Sequence, residues 1–209
     1  MRFDNDDITR LRMLVRERMS SKRYEHTLGV EKMARYLGEI ILPDKVDELR
    51  VAALMHDVAK EMSFDDHLAI LQGSTVEYTD EDLEVKPALH SIAAVPLIMR
   101  DFCEFATDDV CSAVANHTLG APGMSIFDEI IFISDYAEEG RSYYTCIEVR
   151  EHLLNRVKKE NSHEDNIRAL HEASYRSTVY TVDALTLRKE RINTRTISTK
   201  NYLEEIIYR

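Results

Sequence analysis

Apolar residues recur at helical spacing along nearly the whole chain. Leu49, Ala52, Ala53 and His56 fall at i, i+3, i+4 and i+7, and Val110, Ala113, Val114 and His117 repeat the pattern. That spacing is one face of a 3.6-residue helix. His26 heads a stripe of Val30, Met33 and Leu37, while His90 shares a face with Ala93, Ala94 and Leu97. Asp135 continues a face begun by Phe127 and Ile131. No stretch alternates convincingly with period two, and no internal repeat or low-complexity segment is present. The pattern predicts an all-α protein, a helical bundle around one core.

Caps and breakers divide this pattern into elements. Asp7 is a candidate N-cap for a first helix over 8–19, a second helix carries His26 and ends near Pro43, and a third covers 46–57. Ser63 caps a short helix over 64–71 that Gly73 stops, and the polar stretch 74–84 reads as a loop. Pro96 predicts a kink or break in the His90 segment. Thr107 starts the His117 helix, with Asp108 and Asp109 near its positive end. Ser125 caps the Asp135 helix, with Asp128 in a capping-box position, and Gly140-Arg141 ends it. Helices over 146–159 and 163–191 follow, then a polar stretch 195–199 and a short last helix over 202–208. No linker separates these parts, so residues 1–209 read as one domain. Its core spans about 20–150, with a C-terminal helical flank over about 151–209.

Composition narrows the class. The 209 residues are 44% hydrophobic and 31% charged, an ordinary balance for a globular domain able to bury a core without staples. Cys103, Cys111 and Cys146 are odd in number and far apart, which points to a reducing compartment and away from zinc-thiolate structure. The start, Met1-Arg2-Phe3-Asp4-Asn5-Asp6-Asp7, is charged and lacks an apolar h-region, so no signal peptide is expected there. No run approaches the roughly 18 apolar residues of a membrane span. A cytoplasmic location follows. Net charge of −11 disfavours long nucleic acid but leaves room for a small polyphosphate met by metals and local cations. A homodimer is left open.

The chemistry lies in where the histidines stand. His56 and Asp57 end an apolar run, and His26, His90, His117 and Asp135 occupy the same kind of inward position. A lone histidine on such a face is usually a hydrogen-bonded core residue. Six histidines and aspartates placed alike are too many for that. A carboxylate buried in a helix as apolar as that of Asp135 must be paired, hydrogen-bonded or on a metal. Four imidazoles and two carboxylates exceed one tetrahedral zinc but suit two ions, with Asp57 bridging through its two oxygens. Iron, manganese, zinc, cobalt and nickel all accept such donors. Metal pairs about 3.5–4 Å apart serve phosphoester and phosphoanhydride hydrolysis. Lys60, one turn past Asp57, can reach a phosphate there or pair at the surface with Glu61 or Asp65. Arg23 and Arg141 are further candidate cations. His67, beside Asp65 and Asp66, and His152, His163 and His171 carry no such pattern, and Tyr143-Tyr144 reads as packing or as a stacking pair.

In this order, His26, His56-Asp57, His90, His117 and Asp135 resemble the HD superfamily of metal-dependent phosphohydrolases. The blocks Arg23-Tyr24-Glu25-His26-Thr27-Leu28-Gly29-Val30, His56-Asp57-Val58-Ala59-Lys60-Glu61 and Asn116-His117-Thr118 narrow the resemblance. So do Gly123-Met124-Ser125 and Ile131-Phe132-Ile133-Ser134-Asp135-Tyr136 with Gly140-Arg141. Together they are similar to the YqeK-type branch, the symmetrical bis(5'-nucleosyl)-tetraphosphatases. The resemblance implies an all-α HD fold and a di-iron-type centre held by His26, His56, Asp57, His90, His117 and Asp135. It further implies cleavage of diadenosine tetraphosphate to two ADP. Asp57 and Lys60 then carry the catalysis, and Arg23, Lys60, Thr118 and Arg141 are the candidate substrate contacts. The sequence departs from the branch at Ala121, where arginine is common, and at Glu139, where proline is usual.

Other functions compete on the same residues. Another HD phosphohydrolase acting on nucleotides or cyclic dinucleotides is the nearest, although the Gly-Tyr-Pro motif of the cyclic-dinucleotide enzymes is absent. A di-iron oxygenase and a nucleotide-binding module are more distant. The complete ligand set speaks against a degenerate binding module.

Overall fold

Asp4, three residues before the expected Asp7, starts the first helix. Its carboxylate accepts the backbone N–H groups of Asp6 and Asp7, both at 2.9 Å, while Asp7 reaches back to the Asp4 N–H at 3.2 Å. This reciprocal box satisfies donors that a single cap leaves open, so α1 runs Asn5–Arg16. The computed structural model describes residues 3–208. Met1 and Arg2, part of the charged start, and Arg209 lie outside them.

Ten further helices follow among the described residues, with no strand: α2 Ser21–Ile41, α3 Val46–Met55, α4 Phe64–Gln72, α5 Asp80–Glu84 and α6 Leu89–Asp101. After them come α7 Asp108–Asn116, α8 Ile126–Ala137, α9 Tyr144–Arg156, α10 His163–Arg188 and α11 Thr194–Tyr208. None is long and apolar enough to cross a membrane. The predicted caps Ser63, Thr107 and Ser125 each accept the N–H three residues on. Asp128 does not complete a box with Ser125. Its carboxylate accepts Ser112 Oγ at 2.8 Å and Asn116 Nδ2 at 3.1 Å, tying α8 to α7.

Three expectations give way to tertiary structure. Within the expected loop 74–84, Thr79 and Asp82 form a capping box that starts α5. Pro96 neither splits nor ends α6, because Leu89 through Val95 before it and Leu97 and Ile98 after it are all buried. The polar stretch 195–199 is helical, the beginning of α11. Asn193 Oδ1 accepts the Arg195 N–H at 2.8 Å, and Thr199 Oγ1 donates to the Arg195 and Leu119 carbonyls at 2.8 and 3.2 Å. Hydroxyls satisfied this way can be buried like apolar groups.

At the centre stands α3, packed by α1, α2, α7 and α8. Every residue from 49 to 59 is buried, so this helix and the turn after it are enclosed on all sides rather than along one stripe. One continuous cluster joins α1–α3 to Val149, Leu153, Ala169, Leu170 and Ala173 of α9 and α10. The buried ends of α3, α7 and α8 therefore converge beneath α2 and α6.

Candidate metal and active site

His56 and His117 are the C-cap residues of α3 and α7. At that position the helix leaves its last carbonyls without intrahelical partners. The ring Nδ1–H of His56 donates to the Ala53 carbonyl, and that of His117 to the Val114 carbonyl, both at 2.7 Å. His90 does the same to Pro87 at 3.0 Å. His26, in the second turn of α2, has Nδ1 3.2 Å from Glu138 Oε1. A carbonyl or carboxylate can only accept, so Nδ1 carries the proton in all four rings and Nε2 is the inward nitrogen.

The four Nε2 atoms surround two carboxylates. Asp57 Oδ2 lies 3.3 Å from His56 Nε2 and 3.7 Å from His26 Nε2. Its other oxygen, Oδ1, lies 3.1 Å from His90 Nε2 and 3.6 Å from His117 Nε2. Asp135 Oδ1 is 2.9 Å from His26 Nε2 and 3.9 Å from His56 Nε2. Both His26 Nε2 and His56 Nε2 are buried and make no hydrogen bond; the short approach of Asp135 to His26 lacks hydrogen-bond geometry. Orphaned buried nitrogens are costly unless something absent from the protein atoms meets them. His26, His56 and Asp135, and likewise His56, Asp57 and His117, place one donor each within 4.8 Å of one another and could hold a metal ion. The donor set fits a divalent transition metal. All six residues expected from the sequence are brought together.

Burial raises the Asp57 carboxyl, but the charge and hydrogen bonds of His56, His117 and His90 outweigh it and hold it well below the usual carboxylate range. Asp135 is likewise lowered against burial, mainly by the Arg141 charge and His26. Burial, with the His117 and Lys60 charges, lowers His90 to about 4. His26 is raised to about 9, since Asp135 and Glu138 outweigh its burial. The site thus favours ionised carboxylates beside neutral His90, the forms a metal takes.

The expected cations divide. Arg23 donates to Asp57 Oδ2 at 2.7 Å, and Arg141 to Asp135 Oδ1 at 2.6 Å and to the Asp135 carbonyl at 3.0 Å. Lys60 pairs with neither Glu61 nor Asp65. Its Nζ lies 3.3 Å from both the Pro87 carbonyl and His90 Nε2, while Glu61 accepts Ser20 N and Oγ. Thr118 Oγ1 is 3.0 Å from His117 Nε2 and 3.3 Å from His90 Nε2. A cavity of about 740 Å³ opens beside His26, with Lys22, Arg23, Lys32, Arg141 and Tyr143 on its walls. Glu139 sits at that rim and binds Lys32 at 2.7 Å.

Of the remaining histidines, His67 and His171 have hydrogen-bond partners, His152 lies near a carboxylate without a hydrogen bond, and His163 is exposed at the start of α10. His67 is buried, and its Nε2–H donates to the Ala59 carbonyl at 2.7 Å. His171 meets Glu129 at 2.8 Å, and His152 lies 3.4 Å from Glu172.

The sequence reading passed over Glu138. It is buried, follows Asp135 by three residues, and accepts the Gly140 N–H as well as facing His26. A Cβ on Gly29 would collide with its carboxylate, so glycine there lets α2 approach it. The i, i+3 spacing from Asp135 was the available signal. Also missed was the C-terminal contribution: Thr178, Thr181 and Thr196 line a cavity of about 50 Å³ that reaches His117 and Asp135.

The chain is similar to several known proteins. The symmetrical bis(5'-nucleosyl)-tetraphosphatase of Halalkalibacterium halodurans is 29% identical over 142 residues, 66% of this chain and 72% of the relative. That of Bacillus subtilis is 29% identical over 137 residues, 65% and 72% of the two chains. A crystal structure described as a predicted HD superfamily hydrolase involved in NAD metabolism, from Clostridium acetobutylicum, superposes with a TM-score of 0.79. It is 29% identical and covers 98% of each chain. The family model of the HD domain matches residues 23–140, a span that includes all six of the convergent histidines and aspartates, and the chain belongs to the HD domain family.

Proposed function

We propose that this phosphohydrolase cleaves diadenosine tetraphosphate symmetrically to two ADP, using two divalent transition-metal ions. The observation that carries the reading is the split of Asp57: each oxygen faces a different pair of inward Nε2 atoms, as a bridging carboxylate would. The names of the similar tetraphosphatases supply the substrate class.

His26, His56 and Asp135 would hold one ion, His90 and His117 the other, with Asp57 shared. Iron is our first choice, and manganese, cobalt, nickel and zinc fit the same donors. When bound, such a pair supplies a strong oxygen nucleophile at neutral pH and neutralises phosphate charge. The protein's own task is to position and to balance charge. Arg23 and Arg141, each anchored on a site carboxylate, face the wide cavity. Arg23 Nε is buried with no partner and is a donor left for a phosphate oxygen. Lys60 places its ammonium beside His90, where negative charge develops on the departing diphosphate. Thr118 Oγ1, between His90 and His117, offers a hydroxyl to the same phosphate.

The C-terminal helices share the core cluster and reach the site through Thr178 and Thr196, which supports reading the chain as one domain. A cytoplasmic location accords with three unbonded cysteines. The test is a panel of diadenosine tetraphosphate, ATP, NAD and a cyclic dinucleotide given to the metal-loaded protein. Fastest turnover is expected on diadenosine tetraphosphate. Turnover confined to any other member would replace this reading with that substrate.

A further inference from the structure

A second cavity, of about 280 Å³, opens beside His90 and shares no lining residue with the wide one beside His26. Its walls include Lys60, Phe64, Lys86, Pro87 and His90. Each cavity is lined by a histidine that faces a different oxygen of Asp57: His26, on the wide one, lies 3.7 Å from Oδ2, and His90, on the smaller one, 3.1 Å from Oδ1.

Both cavities are lined by cations. On the wide side Arg23, Arg141 and Lys32 are paired with Asp57, Asp135 and Glu139, while Lys22 forms no ion pair with a described carboxylate. On the small side neither Lys60 nor Lys86 forms an ion pair with any described carboxylate. In a chain carrying 38 acidic against 27 basic side chains, two neighbouring cations left unpaired beside a cavity are notable. Lys60 is also half-buried. Lys86 is held in place by a different contact: its Nζ stands 4.6 Å from the centroid of the Phe64 ring. The turn Lys86–Ala88 that carries it leads directly into α6 and His90.

We propose that this smaller cavity is the subsite for the second nucleoside diphosphate arm of the substrate, with Lys86 binding its phosphates. The proposal rests on the hydrolase reading above. A substrate symmetric about its central bridge presents a polyanionic arm on each side of the attacked phosphorus, so each side of Asp57 needs cations of its own. Lys60 meets the phosphate nearest His90, and Lys86, on the outer wall, meets the next one along the arm. Phe64 supplies the aromatic face that keeps the Lys86 ammonium over the cavity.

The experiment titrates ADP into the full-length, metal-loaded protein by calorimetry and measures diadenosine tetraphosphate kinetics on the same samples. Wild type is expected to bind two ADP per chain and Lys86→Glu one. Lys86→Ala should raise KM by about tenfold, the loss expected for one charge-assisted hydrogen bond, while affecting kcat far less, and Lys86→Arg should restore it. Lys86 is exposed, so these variants are expected to fold; an unchanged circular dichroism spectrum verifies it. One ADP per wild-type chain, or two that survive Lys86→Glu with KM unmoved, overturns the subsite. Wild type that binds two ADP, loses one with Lys86→Glu, and yet cleaves no tetraphosphate would keep the subsite and overturn the hydrolase reading instead.

Discussion

Glu138 accepts the Nδ1–H of His26 across 3.2 Å, from a carboxylate that is itself buried and pinned by the Gly140 N–H. His56, His90 and His117 each lean on a backbone carbonyl for the same purpose. His26, inside a helix whose carbonyls are already used, has none to spare and depends on a side chain beyond its own helix. Outer partners of this kind set the ring orientation and the basicity of the inward nitrogen.

Glu138→Gln should therefore keep the helical content while weakening metal binding on the His26 side by about 10–100-fold, the range for removing such a partner. Competition with a chelator reads this directly. Wild-type affinity in Glu138→Gln would show that His26 needs no such support.

Metal binding should rise with pH. His26 is raised to about 9 from an ordinary 6.5, so below about pH 9 its ring is protonated in the metal-free protein and must lose a proton to bind. The same shift sets a sign for stability. Protonated His26 stabilises the metal-free fold fully below the unfolded value, and that contribution disappears as pH rises through about 9. Chelator competition at pH 6 and pH 8 should show tighter binding at pH 8. Equal affinity at both would refute the protonation of His26.

Asp57→Ala should leave the fold in place and remove both ions, taking turnover down by at least about 1000-fold, since the metals contribute several kcal/mol. Elemental analysis should find two ions per wild-type chain and fewer than one in the variant. His67→Ala should behave oppositely, keeping its metals but losing about 0.5–1.5 kcal/mol of stability with its hydrogen bond to the Ala59 carbonyl, which keeps the Met62 N–H at 3.2 Å. A metal-loaded Asp57→Ala protein would remove the bridging role.

These residues also show what could be read from the chain alone. His56 and His117 were legible because each ends an apolar stripe at helical spacing, and a helix end is where an imidazole can anchor on a free carbonyl. Their burial all round was not legible, since enclosure of α3 depends on α1, α2, α7 and α8 packing around it. Glu138 follows the end of α8, where a carboxylate ordinarily reads as solvated turn; only the approach of α2 at Gly29 makes it interior. The start of α11 reads as a polar stretch because its hydroxyls find partners on Leu119 and on their own helix, contacts 80 residues apart in one case. Lys86 carries no distinguishing signal in the chain, since only the fold brings it to Phe64.

The position of the cut in diadenosine tetraphosphate tests the central claim most directly. Attack at a phosphorus next to the central bridge, with the arms on either side of Asp57, releases two identical diphosphates. Chromatography of the earliest products from metal-loaded protein should show ADP alone, and Lys60→Ala should form it about 10–1000-fold more slowly. ATP and AMP appearing together in equal amounts would contradict the symmetric mode.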